Sequence, residues 1–263
     1  MRARSALFDL YGDHVARRGG WAPVGGLVRA LEALDIAGPA TRTAVSRMVR
    51  EGWLTPSVHE GARGYAQTAR ATRQLADARR RIYDEAEPAW SGAWDVVVLE
   101  PPEGRAARER VAGGLRYLGY APLAGSTWVG ARRHPDLAAR LEREDVDWRG
   151  FASRFDGDDH ALATDLWDLP ALARGYLQFD DELTTDHEPS AEAWIAKEGP
   201  AAAFARRARL VHRWRLFLFD DPGLPAQVLP QDWPRPAVAA RFRDLATRLA
   251  PAADTYVDAC LRS

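Results

Sequence analysis

The stretch Thr41 to Leu54, TRTAVSRMVREGWL, constrains this chain most, because two opposed periodic faces on one short helix admit few folds. Ala44, Val45, Met48 and Val49 recur at helical spacing and make a buried stripe. Opposite them, at about 100° per residue, fall Thr43, Ser46, Arg47 and Arg50, with Arg42 near the edge. Two hydroxyls and three arginines on an outward face suit phosphate oxygens and base edges. Gly52 supplies the left-handed residue that ends the helix. A strand then runs from Thr55 to His59, a tip spans Glu60-Gly-Ala-Arg-Gly64, and Tyr65 to Gln67 returns. Helix, glycine stop, strand, tip and strand predict a winged helix, with Arg63 on the wing.

The preceding residues fit the same module. Leu7, Phe8, Leu10, Tyr11 and Val15 predict a first amphipathic helix ending at Gly19-Gly20. Pro23 suits the first position of a second helix, whose inward stripe is Leu27, Val28, Leu31 and Leu34. Asp35-Ile-Ala-Gly-Pro39 makes the turn, and Pro39 opens the arginine-bearing helix. An ordinary helical subdomain with a solvated basic face would show the same pattern, so charge distribution decides between them. Residues 1–83 hold fourteen arginines against seven acidic residues, a net +7, within a chain whose formal charge is −1. Basic charge confined to one module is the footprint of a polyanion binder, and the acidic remainder restricts binding to the head. The expected partner is duplex DNA.

A chain of 263 residues has room for about two ordinary domains. No apolar run approaches the ~20 residues of a membrane helix, and Asp9, Gly12 and Asp13 interrupt any N-terminal secretory core. Cys260 is the sole cysteine, which excludes an intrachain disulfide and a cysteine zinc site. These features predict a cytoplasmic protein with no membrane partner.

Thr68 to Glu85 reads as a helix ended by Glu87-Pro88, with a narrow seam of Ala71, Leu75, Ala78 and Ile82. That seam serves either packing within the chain or a dimer contact, and the helix is a candidate lever between the head and the body. Trp94 to Leu99 is a β-branched run, Arg105 to Leu118 a helix, and Tyr120 to Leu123 and Thr127 to Ala131 two short strands. Leu137 to Leu141 is a short helix and Val146 to Ser153 a closing strand. This β-α-β-β-α-β order is the ferredoxin-like unit. After the acidic stretch Asp156-Gly-Asp-Asp159 the chain is mostly helical. The expected class is α+β: a winged helix-turn-helix DNA-binding domain over 1–67, a linker helix over 68–89, a ferredoxin-like domain over 90–156, and a helical C-terminal domain over 157–263.

Six stretches, spread in order along the chain, resemble the PaaX family of bacterial transcriptional regulators. They are LFDLYGDHVARRGGW (Leu7 to Trp21), RTAVSRMVREGWL (Arg42 to Leu54), GYAQTARATRQL (Gly64 to Leu75), WDVVVLEPPE (Trp94 to Glu103), LRYLGYAPLAGSTWVGAR (Leu115 to Arg132) and LVHRWRLFLFDDPGLPAQVLPQDWP (Leu210 to Pro234). The resemblance implies a homodimer acting on a palindromic operator, probed by Arg42, Thr43, Ser46, Arg47, Arg50 and Arg63. It further implies a repressor released by an aryl-acyl coenzyme A thioester bound to the body. Aromatic-lined cavities with a few arginines suit such a ligand. The densest set is Arg206, Arg207, Arg209, His212, Arg213, Trp214 and Arg215, of which Arg209, His212, Arg213 and Trp214 are candidate contacts. One helix cannot turn all of them to one pocket, so several are expected in solvent.

Enzymatic chemistry has little to stand on. The histidines show no HxxxH or HExxH pairing, and no nucleotide, acyl-transfer or other cofactor motif is present. Asp156, Asp158, Asp159 and His160 are ligand-type residues in a run that reads as a solvated loop. The competing function is a metal-dependent nuclease built on the ferredoxin-like sheet with Asp95 at its metal. Asp95 is expected instead as an outward strand residue, since such a site needs paired carboxylates.

Overall fold

The computed structural model describes residues 1–83, 89–185 and 191–262. The expected helix end at Glu87-Pro88 lies outside the described residues. The chain divides into two compact units, one of Met1–Asp84, Phe179–Arg215 and Val238–Ser263, the other of Glu85–Gln178 and Leu216–Ala237. The segment 157–263 therefore supplies helices to both.

In the first unit, helix α1 (Ala3–Leu10) passes into a π turn (Tyr11–Val15) and a 3-10 turn (Ala16–Arg18) stopped by Gly19 at φ 84°. The wider π turn buries Tyr11, Asp13, His14 and Val15 together, more than one stripe of an α-helix would hide. Then come strand β1 (Trp21–Pro23), α2 (Val24–Glu32), α3 (Gly38–Arg50), β2 (Leu54–His59), β3 (Ala62–Gln67) and α4 (Ala69–Tyr83). Pro23, expected at a helix start, is the last residue of β1 and the N-cap of α2, at ψ 144°. The three strands form an antiparallel sheet in the order β1-β3-β2.

The core of this unit joins Leu7, Leu10, Tyr11, Leu27, Leu31, Val45 and Met48 to Phe204, Ala205 and Ala208 of α9 (Ala191–Asp220) and to Ala253, Val257 and Cys260 of α10 (Arg235–Arg262). The approach of α2 to α10 requires Gly26, where a Cβ would meet the Cys260 carbonyl oxygen at 2.7 Å. Helix α9 kinks where Gly199 takes φ 85° and Pro200 lacks the amide to continue the ladder. The α4 seam is used inside the chain, since Leu75 faces Gly12 and Arg79 and Tyr83 reach the Asp13 carboxylate.

In the second unit, β4 (Trp94–Leu99), α5 (Arg105–Tyr117), β5 (Ala121–Ala124), β6 (Thr127–Gly130), α6 (Leu137–Arg143) and β7 (Trp148–Ser153) succeed one another. Their strands form one antiparallel sheet in the order β5-β6-β4-β7. Val97 and Leu99 pack under Val111 and Leu115 of α5 and Leu137 and Leu141 of α6. Trp94 and Val96, on the alternate face, meet Ala163 of α7 (Asp159–Leu166), Leu169 at the start of α8 (Leu169–Thr185), and Val228. Both faces of β4 are thus covered.

This packing corrects two expectations. Asp95 lies on the same face as Val97 and Leu99 and is buried, not outward. Its carboxylate accepts from the Tyr120 hydroxyl at 2.5 Å and from Arg133 Nε and Nη2 at 3.0 and 2.6 Å. Nor is the acidic stretch wholly a solvated loop. Asp158 caps α7, accepting from the His160 and Ala161 amides, and Asp159 accepts from Trp94 Nε1 at 2.6 Å. Among the described residues no group of three His, Cys, Asp or Glu side chains is placed to hold a metal ion, and no helix is long and apolar enough to cross a membrane.

Candidate nucleic-acid interface

Helix α3 forms because Pro39 pre-sets its first turn after the extended Ala37, and it stops where Gly52 takes φ 72°. Thr41, Ala44, Val45 and Met48 are buried, and Val49 packs at the edge of the same core. All five residues expected on the outward face are exposed: Arg42, Thr43, Ser46, Arg47 and Arg50. Thr43 Oγ1 donates to the Pro39 carbonyl at 2.9 Å, so its lone pairs remain to accept.

Arg47 is the most constrained of the five. Its Nε donates to Glu51 Oε1 at 2.7 Å, while Glu51 Oε2 accepts from Arg4 Nε and Nη2 at 3.1 and 2.7 Å. Arg47 and then Arg4 hold the Glu51 carboxyl below the usual carboxylate range. Neither Glu51 nor Arg4 is among the residues expected at the site. The i,i+4 spacing of Arg47 and Glu51 is the available signal for the first, and nothing local in the sequence signals the second.

The hairpin beside α3 is tighter than expected. Glu60 at φ 50° and Gly61 at φ 82° make a two-residue turn, as the twist of paired strands favours. Arg63 therefore sits within β3 opposite Val58, exposed, and not in the tip. Gly64 opposite Pro23 has no room for a side chain: a Cβ would lie 2.4 Å from the Ala22 carbonyl oxygen. Strand β1 thus locks the inner edge of the hairpin.

Net charge overstates this face. Arg17 and Arg18 pair with Asp254, Arg18 also with Asp258, and Arg29 Nη2 donates to the Cys260 carbonyl. These partners come from α10, outside the 1–83 segment that carries the +7. By contrast, the side chains of Arg42, Arg50 and Arg63 make no hydrogen bond or ion pair among the described residues. Unpaired cations gathered on one side of the unit are what a polyphosphate requires.

Three comparisons bear on this arrangement. The family model of PaaX-like protein matches residues 2–71, that of the PaaX protein central Cas2-like domain 87–162, and that of the PaaX-like protein C-terminal domain 167–259. The chain belongs to the PaaX family. It is 27% identical to the transcriptional repressor PaaX of Escherichia coli (strain K12), an alignment covering 96% of this chain and 82% of that one. It shares its fold with the solved structure of uncharacterized protein Rv0674 from Mycobacterium tuberculosis, at TM-score 0.63 and 21% identity over 97% of this chain and 98% of that one.

The residues weighed as ligand contacts in this PaaX-family chain divide. Arg209, His212 and Arg213 line one cleft, while Trp214 is buried, stacked on Phe242 at 4.8 Å between ring centroids. Around them the acidic partners come from far away in sequence. His212 Nδ1 lies 2.9 Å from Asp9 Oδ2, and Arg215 pairs with the other Asp9 oxygen at 2.6 Å. Arg207 is buried with Asp13, donating also to the Tyr83 hydroxyl and the Ala246 carbonyl, and burial lowers its pKa to about 10.

Proposed function

We propose that this chain is a transcriptional repressor, a regulator and not an enzyme, that grips duplex DNA with the α3 face. One observation carries the reading: Arg42, Thr43, Ser46, Arg47 and Arg50 are all exposed on a helix whose opposite stripe is sealed into the core. In this reading α2 and α3 are the helix-turn-helix and the β2–β3 hairpin the wing, with Arg63 on a flanking phosphate. Glu51 holds Arg47 by its Nε, which leaves the terminal nitrogens as the fork for a guanine edge or a phosphate.

The finer architecture belongs to the same proposal. Segments 1–67, 68–89, 90–156 and 157–263 act as winged helix, linker helix, ferredoxin-like domain and helical domain. The antiparallel order β5-β6-β4-β7 supports the ferredoxin-like reading of the third. A homodimer would set two α3 helices in successive major grooves, about 34 Å apart, on a palindromic operator in the cytoplasm. An aryl-acyl coenzyme A thioester is the proposed releasing effector. Footprinting of the upstream intergenic region tests the core of the reading. Wild type should protect a dyad site, and Arg47→Ala/Arg50→Ala should not; full protection by the double variant would remove α3 from the interface.

A further inference from the structure

We propose that the cleft beside the α2–α3 turn is a regulatory site for an anion carried on an apolar body, and that this anion competes with Asp35 for Arg209. The proposal rests on the repressor reading only for its consequence on DNA. The cleft holds about 760 Å³ and lies wholly within the first unit. Arg206, Arg209 and Arg213 line it at steps of three and four, hence on one face of α9, while Arg207 and Trp214 point into the core. Phe179, Leu183, Trp194, Leu210 and Leu245 supply apolar lining. A pocket of this size with an aromatic floor and convergent cations fits a ligand that is apolar at one end and anionic at the other.

Two carboxylates already occupy the cations. Arg213 Nη2 pairs with Glu182 at 2.7 Å and Arg209 Nη2 with Asp35 at 3.1 Å, while the Arg206 guanidinium lies over the Trp194 ring at 4.7 Å. Three arginines facing two carboxylates leave the lining net positive. The Asp35 side chain is 89% exposed and that of Arg209 54%, so water screens this pair and a bound anion can replace it.

The exchange matters because of where Asp35 sits. It takes φ 60° in the turn immediately before α3, a left-handed conformation that a non-glycine residue holds only with support. Arg209 therefore tethers α9 to the turn that aims α3. A second tie leaves the same cleft, from His212 to Asp9 on α1, and α1 packs against α3. A ligand here touches the supports of α3 directly and needs no lever.

The shared ligand chemistry has two sources, a small organic acid or the phosphates of a coenzyme A ester. Calorimetry on the full chain with phenylacetate, phenylacetyl coenzyme A and free coenzyme A separates them, with gel shifts of the footprinted site run in parallel. Whichever probe binds, Arg209→Ala and Arg213→Ala should each weaken it about tenfold. Asp35→Asn should tighten the same probe about two- to fivefold, a gain that a misfolded variant cannot produce. Binding of none of the three, or binding indifferent to all three substitutions, would overturn the site. Ligand binding with this pattern but no DNA binding at any site would instead remove the repressor reading and leave the cleft standing.

Discussion

Helix α3 and the second half of α9 are both rich in arginine, yet their charges meet opposite fates. On α3 the arginines face solvent, and the sole acidic partner among them, Glu51, engages Arg47 by one nitrogen. On α9, Arg207, Arg209, Arg213 and Arg215 each meet a carboxylate: Asp13, Asp35, Glu182 and Asp9. The difference teaches that arginine density locates neither a DNA face nor a ligand site; the partners do. Charge neutralised inside the fold holds the unit together, whereas charge left in water is available to a polyanion.

The largest expected effect probes the inward side of this contrast. Asp13→Ala leaves Arg207 buried without its carboxylate and strips a partner from Arg79 and Tyr83. Removing one member of such a buried pair costs about 3–5 kcal/mol, read as a lowered urea midpoint. Wild-type stability in this variant would mean that the α9 charges are not structural.

Arg42→Ala and Arg50→Ala probe the outward side. Each should cost about 1–3 kcal/mol of operator affinity if it contacts bases, with stability changed by less than about 0.5 kcal/mol. Equal losses in affinity and stability would place them in the fold. Ser46→Ala and Thr43→Ala should be milder, near the ~1 kcal/mol of one hydrogen bond, and gel-shift titration resolves them from the arginines.

The smallest effect is a pH dependence. Burial lowers the pKa of His14 below its ordinary 6.5, against the pull of its hydrogen bond to Asp254. The Asp254 carboxyl is partly buried, which alone would raise its pKa, but the His14 hydrogen bond and Arg17 and Arg18 hold it well below the usual range. A group whose folded pKa is depressed stabilises fully above its unfolded value and loses that contribution as pH falls. Stability should therefore begin to decline below about pH 6.5 through His14, with Asp254 contributing until far more acid conditions. His14→Gln should flatten the first decline in thermal melts between pH 7 and 5; an unchanged slope would assign it elsewhere.

Much of α3 is legible because a helix with one buried face writes its period of 3.6 into the sequence. The second unit is legible for the same reason, its six elements appearing in the expected order within a few residues of their bounds. Three features are not. Strand β1 is three residues long and ends in proline, so it shows no alternation; pairing with β3, some forty residues later, makes it a strand. Asp95 alternates with Val97 and Leu99, which marks the inward face, yet a carboxylate is expected to need water; Arg133 and Tyr120 replace that water. The fate of the α9 arginines is hidden because Asp9 and Asp13 lie about two hundred residues away, and no local pattern reports a partner at that distance.

The central claim, that the α3 arginines bind DNA and the α9 arginines do not, is tested most directly by salt titration of operator binding. Wild type, Arg42→Ala/Arg50→Ala and Arg213→Ala would be compared as full chains without ligand. The α3 double variant should bind more weakly, and the slope of log affinity against log salt should shrink by about one for each phosphate no longer neutralised. Arg213→Ala should match wild type in both affinity and slope. An undiminished slope and affinity in the α3 variant, or an equal loss in Arg213→Ala, would contradict the account.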